Sequence, residues 1–142
     1  IFFAHANPFA YGDWTYLNGD AEIDAAMAAL RKRGERIGVF GHTHRGKIVD
    51  YAGDAGTRHE LGNQPSLSCR VGPDRGAVAD PGSVGQPRGT GHFSSMLFID
   101  SDAADVGFHF QRLDYDVAAH LARIRASGLS SFTQEKLMSY FT

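Results

Sequence analysis

Arg36-Ile37-Gly38-Val39-Phe40-Gly41-His42-Thr43-His44 is the stretch that decides how this chain folds. Residues 36–40 form a short apolar run with β-branched members, the length and composition of a buried strand. Gly41 then permits a turn, and two histidines one residue apart follow it. Neutral imidazole nitrogen is a preferred ligand for Zn, Fe, Ni and related ions. In an extended chain, residues two apart share a face; in a turn the two rings diverge and can serve two ions. A His-x-His pair in a loop is equally open to a plain reading as polar surface.

Upstream, residues 1–4 read as a second buried strand that delivers His5 at its carboxyl end. Ligand-binding residues of α/β sheets gather beyond the carboxyl ends of strands, so His5 and the His42/His44 pair occupy equivalent positions. His5 can also be a strand-end histidine bonded to a carbonyl. Residues 9–16 make an aromatic loop that packs over the site or an edge. Residues 20–33 predict a helix: Asp20 is placed to cap it, with Glu22 and Asp24 at its positive end. Ile23, Ala26, Met27 and Leu30 form its apolar stripe, and Gly34 ends it. Strand, helix and strand make a β-α-β unit, which implies parallel strands and a right-handed crossover. The opening Ile1-Phe2-Phe3-Ala4 lies within a strand and lacks an initiator methionine, so the expectation is a fragment whose N-terminal part is missing.

Downstream, residues 47–52 read as a strand, 53–56 as a turn, and 59–63 and 65–70 as weaker strand or loop segments. His59 has no partner at ligand spacing and reads as surface. Residues 73–76 predict a turn. Residues 79–89 hold Gly82, Gly85, Gly89, Pro81, Pro87 and Arg88, the composition of a rigid, tightly wound loop. Its backbone N–H groups could approach an anion, or the loop could be a structural connection. Residues 94–100 form a strand with a continuous apolar centre, a turn covers 101–105, and 106–112 alternate as a second strand with His109 on the polar face. The two make an antiparallel hairpin. Asp114 opens a second helix carrying Val117, Leu121 and Ile124 on one side, and residues 133–140 make a short terminal helix. Residues 1–128 therefore read as part of a single domain and 129–142 as a tail.

Composition bounds the function. The chain has 142 residues, 42% hydrophobic and 21% charged, with a formal net charge of −2. Such a balance gives no electrostatic reason to expect nucleic acid or an anionic membrane as partner. Glycine, at 17 residues, is roughly double its usual share and argues for many tight loops. No apolar run approaches the ~20 residues of a membrane span. The single cysteine, Cys69, excludes an internal disulfide, fits a reducing and hence cytoplasmic setting, and reads as half-buried and structural.

These residues carry a family resemblance. Gly41-His42-Thr43-His44 behind a buried strand resembles the last metal-binding motif of the calcineurin-like metallophosphoesterases, and His5 resembles the histidine of the motif before it. Asp80-Pro81-Gly82-Ser83-Val84-Gly85-Gln86-Pro87-Arg88 is similar to the Asn-Pro-Gly-Ser-Val-Gly-Gln-Pro-Arg loop of the bacterial branch, which includes small phosphodiesterases and diadenosine tetraphosphatase-like proteins. Leu113-Asp114-Tyr115-Asp116-Val117 fits that branch as well. The departures are Asp80 in place of asparagine and Gly89 where an aspartate often follows the arginine. The family's Asp-x-His, Gly-Asp-x-x-Asp and Gly-Asn-His-Glu or Asp motifs have no counterpart in these 142 residues.

The resemblance implies the C-terminal half of a two-sheet α/β/β/α sandwich: a β-α-β unit, then mostly antiparallel strands and a C-terminal helix. It implies phosphomonoester or phosphodiester hydrolysis at a two-metal site, with His5 and His42 on one ion and His44 on the other. The ions would be divalent Mn, Fe, Ni or Zn, which histidine suits better than Mg. Arg88 would stabilise either its own loop or a bound phosphate, the structural role being preferred. The substrate would be a phosphate-ester small molecule or a phosphoprotein. Lacking the aspartate motifs, the fragment is expected to be inactive alone. The alternative is a non-catalytic metal-binding or interaction domain on the same scaffold.

Overall fold

The computed structural model describes residues 1–89, 91–102 and 105–141. Its first three elements are β1 (Phe2–Ala4), α1 (Asp20–Lys32) and β2 (Ile37–Phe40). β1 and β2 pair in parallel, with Phe2 beside Gly38 and Ala4 beside Phe40, which is the expected β-α-β unit. Then come β3 (Lys47–Ala52), β4 (Ala55–Glu60), β5 (Ser66–Val71), β6 (Arg75–Asp80), β7 (Ser94–Asp102) and β8 (Asp105–Leu113). They form a five-stranded sheet in the order β1-β2-β6-β3-β4 and a three-stranded sheet in the order β5-β8-β7. The turn expected at 101–105 falls partly on residues 103 and 104, outside the described residues.

The period of two along each strand divides the core into two layers. Ile37 and Val39 of β2, Ile48 of β3 and Ala77 and Ala79 of β6 face the other sheet, where they pack with Val71, Val106, Phe108 and Phe110. The alternate residues Phe40, Val49, Tyr51 and Val78 face outward under α1 and meet its stripe of Ile23, Ala26, Met27 and Leu30. Each large apolar side chain fully buried in this way contributes roughly 1.5–3 kcal/mol. The result is a mixed α/β fold of two facing sheets with a helix on the outer face of one.

Several expectations need correction. The largest concerns β6, read from the sequence as a turn followed by a loop. It is a central strand, parallel to β2 and antiparallel to β3, and buried from Gly76 to Asp80. Its small residues are imposed by its neighbours: a Cβ on Gly76 would stand 2.9 Å from Met27 Sδ and 3.0 Å from the Arg36 carbonyl oxygen. β4 likewise starts inside the expected turn, at Ala55. β1 is an edge strand rather than a buried one, with Phe3 64% exposed, because one of its faces is uncovered. β7, the strand expected at 94–100, is an edge strand too, with Phe98 58% exposed on one face and Leu97 and Ile99 partly buried on the other. Gly19, not Asp20, is the N-cap of α1; the Glu22 carboxylate accepts from the Gly19 N–H at 2.9 Å, and Asp20 pairs instead with Arg58. His59 is not plain surface: it is half-buried and bonded to Asp50.

The C-terminal segment contains α2 (Val117–Arg125) and α3 (Ser131–Met138), followed by a 3₁₀ turn at Ser139–Phe141. The Asp116 side chain caps α2, accepting from the Ala119 N–H at 2.8 Å, and Ser130 caps α3 by accepting from the Thr133 N–H at 3.3 Å. Phe141 is buried, with its ring 5.9 Å from that of His92 and 5.2 Å from that of His120.

Candidate metal centre

Adjacent parallel strands release His5 after β1 and His42 and His44 after β2, at the same edge of the sheet. His5 Nε2 and His42 Nδ1 lie 3.3 Å apart. His42 and His44 both adopt the left-handed backbone region, with φ of 71° and 62°. Non-glycine residues held there cost of order 1–3 kcal/mol each and persist only when their surroundings fix them.

Thr43, between them, supplies that fixation. Its side chain is buried and donates from Oγ1 to Asp80 Oδ2 at 2.6 Å, while its N–H closes a tight turn onto the Gly41 carbonyl at 2.8 Å. Asp80 ends β6, is itself buried, and accepts from the Gly82 N–H at 2.8 Å. Burial pushes its carboxyl above the usual carboxylate range, against the pull of Thr43, Gly82 and Lys47. Lys47 sits opposite Asp80 in the β3–β6 register and donates to the Leu17 carbonyl at 2.5 Å. Burial lowers its amine below the ordinary lysine value, and Asp80 opposes that shift. Removing the Thr43 hydroxyl would leave a buried carboxylate one partner short, at a cost of roughly 1–3 kcal/mol.

His44 is oriented from the other side by the loop after β6. Its Nδ1 lies 2.8 Å from the Gln86 carbonyl oxygen. A carbonyl only accepts, so Nδ1 is the donor and Nε2 is the nitrogen left to face an ion. This is the usual arrangement of a metal-binding histidine, whose other nitrogen donates to a carbonyl or carboxylate. The loop is rigid because it binds itself. Ser95 Oγ accepts from the Ser83 N–H at 3.0 Å and donates to the Pro81 carbonyl at 2.8 Å, and Ser83 Oγ accepts from the Gln86 N–H at 2.9 Å. A Cβ on Gly82, at φ 88°, would fall 1.9 Å from Ser95 Oγ. The N–H groups of Gly82, Ser83 and Gln86 are thus consumed internally, which favours the structural reading of the loop over anion binding.

Aromatic residues 9–16 close over His42. The Tyr16 ring stacks on the His42 ring at a centroid separation of 3.9 Å and an interplanar angle of 18°. Trp14 stands 5.7 Å from His42 and 5.8 Å from His5. Arg88 donates to Tyr16 Oη at 3.2 Å and to Gln86 Oε1 at 3.0 Å, and its guanidinium lies 5.8 Å from the Tyr16 ring and 5.3 Å from that of Tyr140. Two cavities flank the histidines. One of about 340 Å³ is bordered by His44, Ser83, Pro87 and Arg88, and a more apolar one of about 590 Å³ by His5, Pro8, Phe9 and Trp14.

The residues present fit a transition ion. Burial lowers the pKa of His42, His5 adds to that, and the Trp14 backbone opposes it, so the imidazole is held in the neutral, ligating form. Its Nε2 is buried without a hydrogen-bond partner. His44 does not complete a group of three with His5 and His42 in which all donor atoms lie within 4.8 Å, nor does any carboxylate among the described residues. Asp50, His59 and Cys69 do form such a group, at the opposite end of the strands, since Asp50 pairs with Ala77 and Ala77 with Ile37. His92 and His120 lie against Phe141, and His109 bonds Asp100 at 2.7 Å and Ser68 at 3.1 Å.

No protein-family model matches the chain, and no curated protein matches it. A solved structure does: the crystal structure of metallophosphoesterase from Sphaerobacter thermophilus superposes with a TM-score of 0.70 at 22% sequence identity, over 97% of this chain and 55% of that one. At that identity the likeness shows the fold, a partial metallophosphoesterase fold with two sheets. The chain spans about half the length of the solved protein that it matches.

Proposed function

We propose that this chain is the histidine-bearing part of a metal-dependent phosphoesterase that hydrolyses phosphomonoesters or phosphodiesters. The observation that carries the reading is the approach of His5 Nε2 to His42 Nδ1 at 3.3 Å, beside a His44 whose tautomer the Gln86 carbonyl fixes. His5 and His42 would share one divalent transition ion, Mn, Fe, Ni or Zn, and His44 would serve a second. Such ions polarise phosphoryl oxygens and activate water. The chain's own contribution is to hold His42 and His44 on a backbone that Thr43 and Asp80 lock, with Tyr16 stacked on the His42 ring. Arg88, engaged by Tyr16 and Gln86, braces the wall of the cleft. The substrate class proposed is a phosphate-ester small molecule or a phosphoprotein, and the setting the cytoplasm; among the described residues no helix is long and apolar enough to cross a membrane.

The test is a titration of the 142-residue chain with Mn²⁺, followed by assay on bis(p-nitrophenyl) phosphate. Binding that weakens at least ten-fold in His5→Ala and His42→Ala, with no turnover by the chain alone, is the expected result. Metal affinity unchanged in both variants would remove the site. Turnover by the chain that His42→Ala abolishes would overturn only the expected silence. The non-catalytic reading draws on one observation, that no carboxylate among the described residues joins the His5–His42 pair within 4.8 Å.

A further inference from the structure

Asp50 poses a physical problem of its own. It lies on the face of β3 that points towards the other sheet, two residues from Ile48, and its side chain is only 8% exposed. A carboxylate in such a place is retained only when it is paired or bound to a metal. Arg75, from β6, binds Oδ2. Oδ1 is turned to His59 Nε2 at 3.1 Å; His59 stands opposite Ile48 in the β3–β4 register, which puts it on the same face as Asp50. Cys69 comes from β5 of the facing sheet, where it packs at the margin of the intersheet core. Donor atoms of all three lie within 4.8 Å of one another.

We propose that Asp50, His59 and Cys69 form a second site for a thiophilic divalent ion, zinc above all, at the rim between the two sheets. One carboxylate, one imidazole and one thiolate are a suitable donor set for tetrahedral zinc, with water in the fourth position. Donor atoms bonded to one such ion at about 2.0–2.3 Å stand about 3.3–3.8 Å apart. The Asp50–His59 separation of 3.1 Å is already of that size, and Cys69 must close by about 1 Å at most. The half-exposed His59, 37% accessible, leaves a path for the ion.

Binding balances simply. The Cys69 S–H bond breaks and its proton passes to water as the sulfur–metal bond forms. The His59 proton moves from Nε2, where it faces the carboxylate, to Nδ1. Burial and the Asp50 charge hold the free Cys69 thiol above its usual pKa, so without an ion it stays protonated and unreactive. Arg75 stays on Oδ2 and holds the carboxylate in the way that outer partners commonly orient a ligand. The Asp50 and Cys69 anions offset the two charges of the ion, and the Arg75 guanidinium on Oδ2 leaves the cluster with one net positive charge. The bound ion would staple β3 and β4 of one sheet to β5 of the other, so its binding energy adds to folding energy.

Cobalt titration tests this independently of the His5–His42 centre. Cys69 is the only cysteine in the chain, so a near-ultraviolet thiolate-to-cobalt charge-transfer band reports this site alone. The band should appear in the 142-residue chain as Co²⁺ is added to excess over both sites, and vanish in Cys69→Ser. In Asp50→Asn and in His59→Gln the apparent affinity should fall at least ten-fold, and in His42→Ala it should be unchanged. Zinc should raise the thermal midpoint of the parent chain by more than that of Cys69→Ser, which keeps only the His5–His42 centre. Absence of the band overturns the proposal. A band that survives at full affinity in both Asp50→Asn and His59→Gln does so too, since it would show adventitious coordination by the thiol alone.

Discussion

At the scale of single residues, the candidate centre depends on groups that bind no ion. The histidines were legible because Gly-His-Thr-His behind an apolar strand is a local pattern. Thr43 and Asp80, which hold them, lie 37 residues apart, and no local pattern announces that contact. Asp80 gives a prediction with a definite sign. Its folded pKa is raised above 3.8 by burial, so its stabilising contribution is complete below pH 3.8 and is lost as pH rises through the folded value. Asp80→Asn removes that slope while keeping an acceptor for Thr43. The stability of the variant relative to the parent should therefore increase between pH 4 and pH 7 in urea unfolding series. A relative loss over the same range would show that Lys47 holds the carboxylate as an ion and that burial is the weaker effect. Thr43→Ala should cost roughly 1–3 kcal/mol at pH 7 and also weaken Mn²⁺ binding, because both left-handed histidines lose their anchor.

At the scale of elements, the β-α-β unit was legible and β6 was not, and the contrast has a physical cause. α1 announces itself through four apolar residues at helical spacing, all of them buried. β2 announces itself as a β-branched run. β6 reads Arg-Gly-Ala-Val-Ala-Asp, a composition of weak strand propensity, and its place between β2 and β3 is decided by the close packing of α1 above it. Small residues are what such a place admits, and by themselves they resemble a turn. The same reasoning predicts the effect of a side chain there. Gly76→Val would drive carbons into Met27 Sδ and the Arg36 carbonyl, an overpacking worth roughly 1–3 kcal/mol, despite valine's higher strand propensity. Chemical denaturation measures it; an unchanged or raised midpoint would mean that α1 can lift from the sheet without loss.

At the scale of the whole molecule, the two sheets share one apolar interior, whereas the C-terminal segment is held differently. α2 and α3 bury no residue of their own. Their attachment runs through Phe141, seated against His92 and His120, and through Tyr140 beneath the Arg88 guanidinium at 5.3 Å. An element with few buried apolar contacts opens at lower free energy than the core, so the molecule should show two levels of opening. Amide hydrogen exchange should find β2, β6 and β8 protected at the level of global unfolding and α2 and α3 exchanging faster. Phe141→Ala should widen that gap, stripping protection from α2 and α3 while leaving the sheets unchanged. Because Tyr140 touches Arg88, the loop around Gln86 should lose some protection in the same variant, which would tie the tail to the orientation of His44. A uniform loss of protection across both sheets would instead make Phe141 part of the global core. Loss confined to α3, with the Gln86 amide unaffected, would sever the tail from the candidate metal centre and leave Tyr16 and Gln86 as the contacts that hold Arg88.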